Sequence, residues 1–125
     1  MNKLALIIED SDTQASHFRS LLEEFCMEII IAGDGRTGLN LAKDHQPGVI
    51  ILDIQLPDMN GFQICQNLKF SQETAHIPII MLTSQETHEA VVAGLRAGAI
   101  EFIPKDVFAD AVLIETLRQM GFLEE

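Results

Sequence analysis

The residues able to do chemistry in this chain follow short apolar runs. Glu9 and Asp10 come directly after Leu4 to Ile8, and Asp53 after Val49 to Leu52. Thr83 and Ser84 follow Ile79 to Leu82, and Lys105 comes shortly after Ile100 to Ile103. If the runs are strands, three carboxylates converge at one edge. Crowded acids raise one another's pKa unless a cation neutralises them, so the set calls for a hard, oxygen-bound metal. Magnesium, or manganese in its place, is the expected ion, because it takes few protein ligands and leaves room for waters and an incoming phosphate. The hydroxyls and a helix-start N–H suit phosphoryl oxygens, and the lysine supplies a point charge to the same group. Together these residues read as a phosphoryl site.

Each residue alone has a plainer explanation. An acid after a strand is commonly a helix cap or a solvated turn residue. Thr83 and Ser84 could simply cap a helix, Lys105 could be a surface charge, and Phe102 is by itself a core aromatic. Only their joint placement after successive strands favours the chemical reading.

That placement depends on the elements. Strands are expected at Leu4 to Ile8, Glu28 to Ile31, Val49 to Leu52, Ile79 to Leu82 and Ile100 to Ile103, several of them apolar throughout, as a sheet covered on both faces requires. Between them run segments of helical period. Ser11 with Gln14 has capping-box spacing, and Ala15, Phe18, Leu22 and Phe25 then form a core stripe. Asp34 and Gly35 open a second helix to about Asp44, and Asn60 with Gln63 caps a third through Leu68. Ser84 or Thr87 starts a fourth that ends near Gly98, and Asp106 is expected to cap a fifth reaching about Met120. Strands alternating with helices make a doubly wound α/β domain, in which ligands bind beyond the carboxyl ends of the strands. The chemical residues lie at those ends.

The 125 residues suit one domain, expected to span 1–125. A net charge of −11 repels nucleic acid and anionic lipid, so neither is an expected partner. The apolar run at the N-terminus is too short for a membrane span or signal peptide, and Cys26 and Cys65 lack metal or disulfide spacing, which fits a reduced cytoplasmic setting. Both cysteines are expected as small core residues, and His17, His45, His76 and His88 as surface residues. Met59 and Met81 are expected to pack in the interior.

The ordered set resembles the response-regulator receiver family along essentially the whole chain. It comprises Ile7-Ile8-Glu9-Asp10-Ser11, Asp53-Ile54-Gln55-Leu56-Pro57-Asp58-Met59-Asn60-Gly61, Met81-Leu82-Thr83-Ser84 and Gly98-Ala99-Ile100-Glu101-Phe102-Ile103-Pro104-Lys105. The resemblance implies a flavodoxin-like three-layer (βα)5 sandwich with strand order 2-1-3-4-5. It implies Asp53 as phosphoacceptor, Asp10 as direct metal ligand, Glu9 as an acid acting through water, and the Gln55 carbonyl as a further ligand. Thr83 would hold a phosphoryl oxygen, Lys105 would pair with Asp53 or its phosphate, and Phe102 would be the switch aromatic. A sensor histidine kinase or histidine phosphotransfer protein would be the donor. The fourth helix, fifth strand and fifth helix would present the output surface to a target protein, the chain being a monomer or a phosphorylation-linked homodimer. Gln55 and Gln85 stand where family members tune water access.

Three residues depart from the common pattern. Asp106 stands where a proline often follows the site lysine, and without it a cis bond after Lys105 is costly, so the lysine loop is expected in a different arrangement. Glu9 replaces a frequent aspartate, and Phe102 lacks the hydroxyl of a common tyrosine. The alternatives are a receiver that binds partners without phosphorylation, a magnesium-dependent phosphohydrolase and a flavin carrier. The hydrolase typically needs a second aspartate two residues after the nucleophile, where this chain has Gln55. An acidic Glu9-Asp10-Ser11-Asp12 loop repels a flavin phosphate.

Overall fold

The β-branched runs form strands and the amphipathic segments form helices. The computed structural model describes residues 2–84 and 88–123. The order is β1 (Leu4–Ile8), α1 (Asp12–Glu23), β2 (Glu28–Ala32), α2 (Gly35–His45), β3 (Val49–Asp53), α3 (Gly61–Phe70), β4 (Ile79–Thr83), α4 (His88–Arg96), β5 (Glu101–Pro104) and α5 (Ala109–Gln119). All strand pairs are parallel, in the order β2-β1-β3-β4-β5.

Alternation along the strands builds the three layers, because successive side chains leave a strand on opposite faces. Ala5, Ile7, Val49, Ile51, Ile80 and Leu82 meet Phe18 and Leu22 of α1 and Leu113 and Leu117 of α5. Leu6, Ile8, Ile50, Leu52, Ile79 and Met81 meet Ala42 of α2, and Ile64 and Leu68 of α3, on the other face. Every residue of β3 and β4 is buried, which is why those strands read as unbroken apolar runs. Edge strand β2 is more open, starting from exposed Glu28.

The strands β2, β3 and β4 run one residue further than expected, and β5 is shifted forward by one. Parallel pairing causes this: Asp53 is held in register with Leu82, and Thr83 with Pro104. Asp53 and Thr83 are therefore last strand residues, held by the ladder itself.

Local caps set most of the helix starts. Asp34 Oδ1 accepts from Thr37 N at 2.7 Å, and Asn60 with Gln63 forms a reciprocal capping box. At α1 the expected box is half formed. Ser11 Oγ accepts from Gln14 N at 3.2 Å, while the Gln14 side chain turns towards Lys105. Asp106 does not cap α5; its Oδ1 accepts from Phe108 N at 2.8 Å and closes a turn ahead of the helix, whose N-cap Phe108 has no side-chain bond. Thr87 and Gln85 lie outside the described residues, as does the side chain of His88; Ser84 is exposed.

His17, His45 and His76 are exposed, Met81 is buried and Met59 half-buried, as expected. Cys65 is buried, with Sγ donating to Ala97 O at 3.3 Å, and burial pushes its thiol pKa up to about 11. Cys26 is not a core residue. It is exposed at φ 65° in the turn after α1, where the left-handed backbone carries its side chain away from the interior. Among the described residues, no helix is long and apolar enough to cross a membrane.

Candidate functional site

The carboxyl edges of β1, β3, β4 and β5 bring the chemical residues together. Ile8 pairs with Leu52, so Glu9 follows β1 beside Asp53 at the end of β3. Glu9, Asp10 and Asp53 each offer an oxygen within 4.8 Å of the others. Glu9 and Asp53 are buried, at 5% and 8% exposure, whereas Asp10 faces solvent. Two buried acids beside a third are costly without a counter-charge.

Lys105 supplies one. Its backbone N donates to Thr83 O at 2.6 Å, which sets where the side chain leaves the β5 end. Its Nζ donates to Glu9 Oε1 at 2.7 Å and lies 3.3 Å from Asp53 Oδ1. The peptide bonds of the described residues are all trans, and with Asp106 following it the ammonium still reaches both acids. Burial raises the Glu9 pKa above the ordinary glutamate range, the Lys105 bond opposes that rise, and neighbouring Asp53 adds to it. Glu9 Oε2 also accepts from Ser11 N at 3.3 Å.

These donors suit magnesium or manganese. Three carboxylates present hard oxygens and no soft donor, and the exposed side of Asp10 leaves space for water. Gln55 lies on the loop after β3, held by a bridge to Asn60, and Gly61 N donates to Ile54 O at 2.7 Å. Thr83 is fully buried at the tip of β4, and Phe102 is half-buried on β5.

Three further residues shape the site through contacts that local spacing does not signal. Gln14 accepts from Lys105 Nζ at 2.5 Å across 91 positions of chain. Asp58 accepts from Gly35 N at 2.8 Å and Arg36 N at 3.0 Å, fastening the β3–α3 loop to the start of α2. Those two N–H groups hold the Asp58 carboxyl below the usual aspartate range. Gly94 lies against the Phe102 ring, where a Cβ would stand 2.7 Å from Cδ2.

Comparison with known proteins agrees with this geometry. Residues 5–118 match the family described as the response regulator receiver domain. The chain is 33% identical over 108 residues to protein PilH of Pseudomonas aeruginosa, covering 86% of this chain and 89% of PilH. It is 30% identical over 120 residues to response regulator PleD of Caulobacter vibrioides, covering 96% of this chain but only 26% of PleD. Among solved structures, chemotaxis response regulator CheY4 of Vibrio cholerae superposes with a TM-score of 0.86 at 28% identity, covering 95% of this chain and 98% of that one. The five-stranded order, the acidic edge and the match over residues 5–118 have one reading: the chain belongs to the response regulator receiver domain family.

Proposed function

We propose that this receiver is a phosphoacceptor switch in which Asp53 takes a phosphoryl group from a phosphohistidine on a sensor kinase or phosphotransfer protein. The carrying observation is the convergence of Glu9, Asp10 and Asp53 within 4.8 Å, with the Lys105 ammonium against two of them. An Asp53 carboxylate oxygen attacks phosphorus, the P–N bond breaks, and its electron pair returns to the donor imidazole, which takes up a proton. The transition state is loose and spreads charge over the phosphoryl oxygens, so catalysis is mainly electrostatic.

Asp10, Asp53, the Gln55 carbonyl and, through water, Glu9 would hold a magnesium or manganese ion, which when bound offsets the charge of acids and phosphate. Lys105 adds the second positive charge beside Asp53. Thr83, at the tip of the neighbouring strand, donates its hydroxyl to a phosphoryl oxygen once one is present. Its inward movement opens space for the Phe102 ring. The surface of α4, β5 and α5 then repacks and offers exposed Leu95, Val107 and Phe108 to a target protein or a second copy.

Receiver domains are signalling modules, and the only turnover proposed here is self-catalysed phosphorylation and slow hydrolysis of the acyl phosphate. The setting that fits is the cytoplasm, where sensor kinases have their phosphohistidine. Incubation with acetyl phosphate and magnesium should add one phosphoryl mass to the wild type and none to Asp53→Ala. A wild type that stays unmodified overturns the reading; a modified Asp53→Ala moves the acceptor elsewhere.

A further inference from the structure

The Lys105 ammonium has three protons to donate and three oxygens around it. Gln14 Oε1 lies at 2.5 Å, Glu9 Oε1 at 2.7 Å, and Asp53 Oδ1 at 3.3 Å. The charge is thus closer to the α1 side than to the proposed acceptor. A closed circuit holds it there. Ser11 N donates to Glu9 Oε2, Gln14 N donates to Ser11 Oγ, and Lys105 Nζ bonds both Gln14 and Glu9. Gln14 belongs to the first turn of α1, so its place is set by the loop that carries the acid pair.

We propose that Gln14 is a positioning residue that holds Lys105 back from Asp53 until a phosphoryl group arrives. This rests on the phosphoacceptor reading above. A phosphoryl group on Asp53 carries more negative charge than the bare carboxylate and draws the ammonium towards it. Of the three resting partners Gln14 is the neutral one, and bonds to a neutral acceptor are weaker than bonds to a carboxylate. Gln14 is therefore the partner given up. Its bond stabilises the resting state only, and removing it favours the phosphorylated state.

The test is binding of beryllofluoride, a phosphoryl mimic, at saturating magnesium, by wild type, Gln14→Leu and Gln14→Ala. Loss of one resting-state hydrogen bond should tighten binding about fivefold in both variants. Without the mimic, the same variants should melt slightly below wild type, because the resting state has lost a hydrogen bond. A residue that merely supports the fold would weaken binding and stability together, so opposite signs are the signature of positioning. Wild-type binding with equal or weaker binding by the variants overturns the inference. Failure of wild type itself to bind overturns the phosphoacceptor reading. Should one variant not fold, the other decides.

Discussion

The two halves of the sheet edge are built differently. On the α2–α3 side the loop after β3 is tied at several points: Asp58 to Gly35 and Arg36, Gln55 to Asn60, Gly61 N to Ile54 O, and Asn60 to Gln63 in a reciprocal cap. On the α4–α5 side, α5 starts at Phe108 without a side-chain cap. Val107 and Phe108 there are exposed. In the proposed function the first half has to hold carboxylate and carbonyl oxygens in place for a cation that demands near-ideal geometry. The second half, in the proposed switch, has to move.

Substituting alanine for glycine in each half puts the contrast to the test. At Gly61 a new Cβ would stand 2.7 Å from Ile54 Cα and 2.8 Å from Asp53 O, both backbone atoms with nowhere to go. Gly61→Ala should destabilise the protein by about 3 kcal/mol and disturb the Asp53 loop, as urea melts and the amide shifts of residues 53–60 would show. A change below ~1 kcal/mol would mean that this half is not rigid.

At Gly94 the obstacle is the Phe102 ring, with Met81 Sδ at 3.2 Å, and a side chain can rotate away. Alanine also favours a helix interior by about 1 kcal/mol over glycine. Gly94→Ala should therefore leave stability within ~1 kcal/mol of wild type while displacing the Phe102 ring, read from its contacts by NMR. An unmoved ring with a large loss of stability would show this half to be as tightly held as the other.

Asp58 gives the smallest and most pH-dependent effect. Its folded pKa is depressed by bonds from Gly35 and Arg36, so its contribution is present above the ordinary aspartate pKa and is lost as pH falls through the folded value. Asp58→Asn should melt slightly below wild type at neutral pH, and the gap should close under acid. An equal gap at every pH would assign the effect to packing instead.

Strands were legible because both faces of β3 and β4 are covered, which forces unbroken apolar runs. The starts of α2 and α3 were legible because Asp34 and Asn60 bond residues three positions on. The start of α5 was misplaced for a related reason. Asp106 does bond a nearby amide, but that of Phe108, two residues on, which makes a turn and not a helix cap. Cys26 was misplaced because nothing in its local pattern signals a left-handed turn.

The alternation of strands and helices can be read from residue order alone, and with it that Glu9, Asp10, Asp53, Thr83 and Lys105 follow strands whose carboxyl ends share one edge. Those features depend on periodicity and on neighbours a few residues apart. That Lys105 bonds Gln14 as well as Glu9, that Asp58 fastens the β3–α3 loop to α2, and that the Phe102 ring lies on Gly94 emerges once the elements are packed together. Each of the first two joins residues 22 to 96 positions apart through flexible side chains, and the third depends on how α4 packs on β5. Such contacts follow from where whole elements pack, and residue spacing carries no trace of them.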